Sequence, residues 1–298
     1  MPGRIAVVVV NHNTREHLNE CLVAVLAEEP AQIVVVDTDS QDGSAAFVRR
    51  AFPRVELLEE DNRGYGAAAN AGLRRVNTAY ALVLNADTRP ADGSLTTLAA
   101  YLEYHPHAAV AGPLVVDADG RPQLTARRLP TPLEILLQES GLRRLLPRES
   151  GGPSPRTVDW VLGAALAVRR EAVLAIGGFD ETYFMYNEEV DLCLRLRQAG
   201  WEVHYAPVAA VAHVGAASTS QHRAAMAAQY VRSTVALYRR HFSCSERAQL
   251  QAVLLTVLVA RSARDRIRLL LTTDPTRRRA LETELTAWRS ARGALRGA

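Results

Sequence analysis

Short β-branched runs alternate with helical repeats along the first hundred residues. Ile5–Val10 is continuously apolar, the pattern of a strand covered on both faces. Glu16–Ala27 carries Leu18, Leu22, Val25 and Leu26 at helical spacing. The alternation continues through Ile33–Val36 (strand), Ser44–Ala51 (helix), Val55–Leu58 (strand) and Ala67–Val76 (helix). It closes with Tyr80–Leu84 (strand) and Leu95–Tyr104 (helix). Repeated strand–helix units predict a doubly wound, mostly parallel α/β sheet with flanking helices. Such sheets bind ligands beyond the carboxyl ends of their strands, which is where chemistry is to be sought.

After Ala108–Ala111 the rhythm changes. Leu114–Gly120 reads as a strand entering an Asp-Ala-Asp-Gly turn, and Pro130–Pro155 as a loop with a short helix around Leu133–Leu146. Val158–Val168 returns to strand character and Glu188–Gln198 to helix. Val203–Tyr205 and Ala209–His213 read as short strands, and from Gln221 onward the pattern is helical alone. Two regions follow: residues 1–219 as an α/β domain and 220–298 as a helical C-terminal extension.

Composition narrows the possibilities. With 298 residues, 48% hydrophobic, the chain has the apolar content for a sizeable core. All 35 basic residues are arginine; the absence of lysine excludes Schiff-base, pyridoxal-phosphate and Walker-type ATPase chemistry. Cys21, Cys193 and Cys244 lack paired spacing, against a disulfide framework or zinc knuckle and in keeping with a reducing compartment. The start lacks a leader pattern, and Ala252–Ala260 is too short to span a bilayer, so a cytoplasmic protein, soluble or peripheral, is expected. From Arg261 to the end, ten arginines face four carboxylates, a local +6 that leaves −3 for the rest of a chain whose total is +3. A basic helical tail on a mildly acidic body points to an anionic membrane surface at the inner face rather than to nucleic acid.

Candidate chemistry sits at strand ends. Asp37 and Asp39 follow Ile33–Val36, where a carboxylate can accept hydrogen bonds from a nucleobase or ribose. Asp42-Gly43-Ser44 is accounted for as a turn with a helix cap at Ser44. Asn85-Ala86-Asp87 follows Tyr80–Leu84, and two oxygen-bearing side chains flanking a small residue can reach one hard cation and a diphosphate. Gly64-Tyr65-Gly66-Ala67-Ala68-Ala69 matches a dinucleotide fingerprint, which keeps a dinucleotide-dependent oxidoreductase in view. It opens the third strand–helix unit rather than the first, against that reading. Glu188-Glu189-Val190-Asp191 crowds three carboxylates into four residues, and crowding raises their proton affinity as a general base requires. Glu189 is favoured as base, with Asp191 second. His213 ends an apolar strand and becomes a ligand candidate only if the fold brings it to Asp87.

Taken in order, Val7–Asn13, Val34–Ser44, Asn62-Arg63-Gly64-Tyr65-Gly66, Leu84–Thr88, Gly177–Glu181 and Glu188–Arg195 resemble family 2 glycosyltransferases of the GT-A fold. Trp160–Gly163, Arg169-Arg170 and Tyr183–Tyr186 are similar to the bacterial rhamnosyltransferases of cell-wall and O-antigen assembly. The resemblance implies an inverting transfer from a dTDP-, UDP- or GDP-sugar to a hydroxyl of a glycan or lipid-linked acceptor, with Mg²⁺ or Mn²⁺. It implies a donor site of Asn11, Asp37, Asp39, Asn62, Gly64, Asn70, Asn85 and Asp87, metal ligands Asp87 and His213, and catalytic carboxylates Glu189, Asp191 and Glu188. Two positions depart from the family pattern: the DxD equivalent begins with Asn85, and the base position holds Glu rather than Asp. Trp160 and Tyr186 are candidates to stack on sugar faces. A non-catalytic nucleotide-sugar binding module is the remaining alternative.

Overall fold

The computed structural model describes residues 4–129, 131–139, 152–215 and 223–297. The chain opens with β1 (Ile5–Asn11), α1 (Arg15–Ala27), β2 (Gln32–Thr38), α2 (Ser44–Ala51), β3 (Glu56–Glu60), α3 (Tyr65–Arg75) and β4 (Tyr80–Asn85). Next come β5 (Thr88–Pro90), α4 (Ser94–Tyr104), β6 (Ala108–Val116), β7 (Ala126–Arg127) and α5 (Pro132–Glu139). They are followed by β8 (Arg156–Thr157), β9 (Trp160–Val161), β10 (Ala165–Arg169), α6 (Arg170–Ala175), α7 (Glu188–Gln198) and β11 (Glu202–His213). The helices α8 (Arg223–His241), α9 (Cys244–Leu271) and α10 (Pro275–Gly297) complete it.

These elements fall into two compact units. One comprises Met1–Leu129, Glu149–Phe184 and Glu188–Ser218; the other comprises Pro130–Arg148, Met185–Asn187 and Thr219–Ala298. The helical unit thus takes in two segments from within residues 1–219.

In the first unit the sheet runs β3-β2-β1-β4-β10-β6-β11-β5, with β8 on β11. β3, β2, β1 and β4 are parallel, as the early alternation predicts. β10 enters antiparallel to both β4 and β6. Val7 and Val9 join Leu18, Leu22, Leu95 and Leu98 in one core, while Val8 and Val36 lie under α3, close to Gly72. Helices therefore cover both faces, which is why β1 reads as an unbroken apolar run. Two N–H groups at the start of α4, those of Gly93 and Leu95, donate to the Glu28 carboxylate at 2.6 and 3.1 Å.

Four expectations change. The cap expected at Ser44 falls on Gly43, because Ser44 is the first residue of α2 and its hydroxyl donates to the Asp42 carboxylate. The predicted Val158–Val168 strand is two strands, because the chain leaves β9 at Leu162, turns through Gly163 and joins the main sheet as β10. The two strands expected at Val203–Tyr205 and Ala209–His213 are one, β11, with a register shift between Tyr205 and Ala210. Pro207, which has no N–H for the ladder, lies within that shift. Of the expected Leu133–Leu146 helix, Pro132–Glu139 forms and the rest lies outside the described residues.

In the helical unit, α9 starts with a capping box between Ser243 and Glu246. Val231, Val235, Tyr238, Leu250, Leu254 and Leu258 build its core, with Ile135 of α5 and Ala291 and Ala294 of α10. Among the described residues no helix is long and apolar enough to cross a membrane.

Candidate active site

The parallel register sets Asn11 beside Asp37 at the carboxyl ends of β1 and β2. Both are buried, and Asn11 Nδ2 donates to Asp37 Oδ2 at 2.7 Å. The Ser40 N–H donates to Asp37 Oδ1 at 3.0 Å, and Thr14 Oγ1 donates to Asn11 Oδ1 at 2.8 Å. A buried carboxylate is tolerable only with such donors, and these fix its orientation. Asp39 is exposed, at a positive φ of 55°, and accepts from Gln41 Nε2 at 2.9 Å. Sequence reasoning passed over His12. Its Nδ1 lies 2.6 Å from the Thr38 carbonyl, so it donates there and leaves Nε2 to accept from Asn13 Nδ2 at 3.1 Å. Asn62 Nδ2 lies 3.5 Å from both nitrogens of that ring.

β4 delivers the second carboxylate. The Ala86 N–H donates to Val10 O, and the Asn85 N–H to Ala164 O, both at 3.1 Å. β5 pairs with β11 so that Thr88 faces His213, and the Val214 N–H donates to Asp87 O at 3.1 Å. His213 Nε2 comes to 3.4 Å from Asp87 Oδ1, both side chains being largely buried. Burial, the largest single influence on Asp87, pushes its carboxyl up. The His213 hydrogen bond and charge, with a backbone amide and His17, more than cancel this and hold it below the usual range.

Gln123 defines the imidazole further. Its Nε2 donates to the His213 carbonyl at 3.0 Å, so its Oε1, 3.2 Å from His213 Nδ1, accepts the ring N–H. With Nδ1–H given to Gln123, Nε2 is the ring nitrogen turned toward Asp87; it hydrogen-bonds the carboxylate there and, with that hydrogen displaced, could ligate a metal with Gln123 as its outer partner. Among the described residues no group of three or more His, Cys, Asp or Glu side chains converges to hold a metal. Two protein ligands suit a hard cation that takes its remaining oxygens from a diphosphate and water.

The third component comes from the first turn of α7. Glu188 is buried, and burial and then the charge of Glu189 push its carboxyl well above the usual range. Burial likewise raises Glu189, opposed by the backbone N–H groups of Glu189, Gly163 and Val190 and by Arg127. Oε2 of each carboxyl is buried and has no hydrogen-bond partner among the described residues. Gly163 bridges this pair to the rest: its carbonyl accepts from Tyr65 Oη at 2.8 Å, and the next carbonyl, Ala164 O, holds the Asn85 amide. Burial and then the charges of Glu188, Glu189 and Asp87 raise the Tyr65 hydroxyl well above its usual range. All three carboxylates thus act on one phenol.

Other expected site residues have structural duties. Asp191 is fully buried and accepts from Arg195 Nε at 2.6 Å, while that guanidinium also donates to Ile176 O and Gly178 O. Asn70 is buried, donating to Phe179 O at 2.9 Å and accepting from the Phe179 N–H at 2.8 Å. Gly64 has φ +102°, and a Cβ there would stand 2.1 Å from the Phe184 carbonyl oxygen. The Tyr65 N–H donates to the same carbonyl. The glycine motif is accounted for by this close crossing of two backbones. Trp160 is 8% exposed, donates to Arg128 O at 2.9 Å and lies under the Arg127 guanidinium. Tyr186, at a positive φ of 69°, stacks edge-on against Tyr230 within the helical unit.

Comparison with known proteins agrees with this layout. An N-acetylglucosaminyl-diphospho-decaprenol L-rhamnosyltransferase of Mycobacterium tuberculosis is 33% identical over 289 residues, spanning 88% of this chain and 92% of the relative. A rhamnosyltransferase of Escherichia coli is 25% identical over 213 residues, spanning 68% of this chain and 80% of the relative. Among solved structures, a mannosyltransferase from Pyrobaculum calidifontis in complex with GDP-mannose and Mn²⁺ superimposes with a TM-score of 0.57 at 17% identity. That match covers 99% of this chain and 86% of the mannosyltransferase, and it supports the GT-A fold. The family model described as glycosyltransferase like family 2 matches residues 2–236. With its strand-end carboxylates, its α7 acid pair and that match over most of its length, the chain belongs to glycosyltransferase family 2.

Proposed function

We propose that the chain transfers a sugar, with inversion, from a nucleotide-diphosphate donor to a hydroxyl of a polyprenyl-diphosphate-linked glycan. The observation that carries this reading is the run Asp87–Asn85–Ala164–Gly163–Glu189, which links a strand-end carboxylate to a carboxyl of raised proton affinity. Asp37, held by Asn11 and Ser40, accepts from the nucleoside, and Asn62 and Gly64 border the same end; Asp39 and Asn70 support loops rather than touch the donor. Asp87 and His213 would hold Mg²⁺ or Mn²⁺, which would supply positive charge against the negative charge of the departing nucleoside diphosphate.

Glu189 takes the proton of the attacking hydroxyl at its free Oε2, in a water-poor site where the raised proton affinity suits a base. The charge of Glu189 in turn raises the neighbouring Glu188. Asp191 anchors α7 through Arg195 and is not the base. Rhamnose as the sugar, and a decaprenyl-type lipid as the acceptor's carrier, are drawn from the Mycobacterium tuberculosis relative. Such an acceptor places the protein peripherally at the inner face of the plasma membrane, with the C-terminal helices as the contact. Residues 1–219 supply the catalytic domain and 220–298 the helical extension. The experiment is transfer from a panel of nucleotide sugars to a short-chain polyprenyl-diphosphate-GlcNAc. Product from one donor, lost in Glu189→Gln with donor binding retained, supports the reading; unchanged turnover in Glu189→Gln sinks the assigned base. A nicotinamide absorbance change without a metal requirement would favour the oxidoreductase alternative instead, and tight donor binding without any release of nucleoside diphosphate the binding module.

A further inference from the structure

The solvent side of α9 is apolar where a water-exposed helix ordinarily carries charge. Its buried side, Leu250, Leu254, Leu258, Ser262 and Asp265, packs into the helical unit. On the opposite side Leu255, Val259, Ala263, Ile267, Leu270 and Leu271 follow one another at helical spacing, all exposed. The last three large side chains are 57%, 85% and 80% exposed. That stripe carries no carboxylate: the acids of α9 are Glu246, at its first turn, and Asp265, buried on the other side.

Arginines lie within the stripe and follow it closely along the chain. Arg266 lies within it, and Arg277, Arg278 and Arg279 follow in the first turns of α10. Arg264 and Arg268 pair with Asp265, and Arg278 approaches Glu282. Among the described residues Arg266, Arg277 and Arg279 have no carboxylate partner and are exposed. An apolar helix face edged with arginine is the composition of a helix lying in a bilayer interface, apolar side chains among acyl chains and guanidinium groups on phosphates. The alternative occupant, a second copy of this chain on the same face, would set these arginines against their own counterparts. Charge complementarity favours anionic lipid.

We propose that the stripe Leu255–Leu271 of α9, with Arg266 and Arg277–Arg279, is a docking face for an anionic phospholipid bilayer. It rests on the reading of a lipid-linked acceptor only in explaining why docking is useful. The test is co-sedimentation of the full chain with vesicles of phosphatidylglycerol and phosphatidylethanolamine, or of phosphatidylcholine alone. Binding to the anionic vesicles, salt-sensitive and at least about tenfold weaker on phosphatidylcholine, is expected. The variant I267S/L270S/L271S, whose side chains already meet water, keeps its circular dichroism and loses anionic binding by about tenfold or more. R266Q/R277Q/R279Q loses the preference for anionic lipid. Wild type that stays in the supernatant overturns the proposal, as does a serine variant that sediments equally well. A dimer in solution that the serine substitutions dissociate overturns it in favour of a second copy. Donor hydrolysis, measured on the same proteins without lipid, is untouched by both variants. Docking without hydrolysis would count against the transferase reading, and hydrolysis without docking against this face.

Discussion

His213 Nε2 and Asp87 Oδ1 stand 3.4 Å apart where the start of β5 pairs with the end of β11, and Gln123 holds the Nδ1 side of the imidazole so that Nε2 is the nitrogen facing the carboxylate. The side chains of Asp87 and His213 are the pair proposed to hold the cation, and Gln123 touches only the histidine.

That outer contact has a measurable consequence. Gln123→Leu removes the acceptor for Nδ1–H and lets the ring adopt the wrong tautomer. Mn²⁺ affinity in the presence of nucleoside diphosphate, followed by electron paramagnetic resonance, is expected to fall by about 10- to 100-fold. Asp87→Ala abolishes it, whereas Gln123→Glu, which keeps an acceptor oxygen, restores much of the loss. Unchanged Mn²⁺ affinity in Gln123→Leu would show that the ring is oriented by other contacts.

As the proposed base, Glu189 is expected to set the acid side of the pH profile. Its raised carboxyl is protonated, and useless as a base, at pH values where an exposed glutamate is already ionised. Transfer therefore rises with pH along a limb displaced upward from the ordinary glutamate range. Glu189→Gln lowers kcat by about 10²- to 10⁴-fold. Stability follows the opposite sense. A carboxyl raised in the folded state favours folding below its unfolded pKa, and that contribution is lost as pH climbs toward the folded value. Glu189→Gln should accordingly melt higher than wild type at neutral pH, and a lower melting temperature there would contradict the burial argument.

Asp191 and Glu189 separate by the kind of damage each substitution does. Asp191→Ala strands the largely buried guanidinium of Arg195, which also holds the carbonyls of Ile176 and Gly178, and should cost about 3 kcal/mol of stability. Denaturant unfolding reads this directly, and activity per folded molecule falls far less than in Glu189→Gln. Full stability with lost turnover would move the base to Asp191.

The parallel half of the sheet was legible because β1, β2 and β4 are buried on both faces and α1 and α4 carry apolar stripes. Ser44–Ala51 and Glu188–Gln198 fall where their periodicity put them. The second half was harder for local reasons. Gly163 breaks an apolar run that reads as one strand, and Pro207 looks like a terminus inside β11. At the site, Asp37, Asp87 and Glu189 announce themselves as carboxylates at strand and helix ends. His12, Gln123 and Tyr65 do not, because their importance lies in partners far along the chain: Gln123 meets His213 and Tyr65 meets Gly163 only once the sheet has formed. Gly64 was legible as special but not for what it does, since the Phe184 carbonyl it admits is 120 positions away.

The central claim is tested most directly by release of nucleoside diphosphate from a panel of nucleotide sugars, with Mg²⁺, Mn²⁺ or EDTA, in wild type and Asp87→Ala. Slow donor hydrolysis needs no acceptor, so the lipid does not limit the assay. The account predicts release from one donor that requires the cation, stops with EDTA and is absent in Asp87→Ala. Release that persists in EDTA and in Asp87→Ala would contradict the cation site formed by Asp87 and His213.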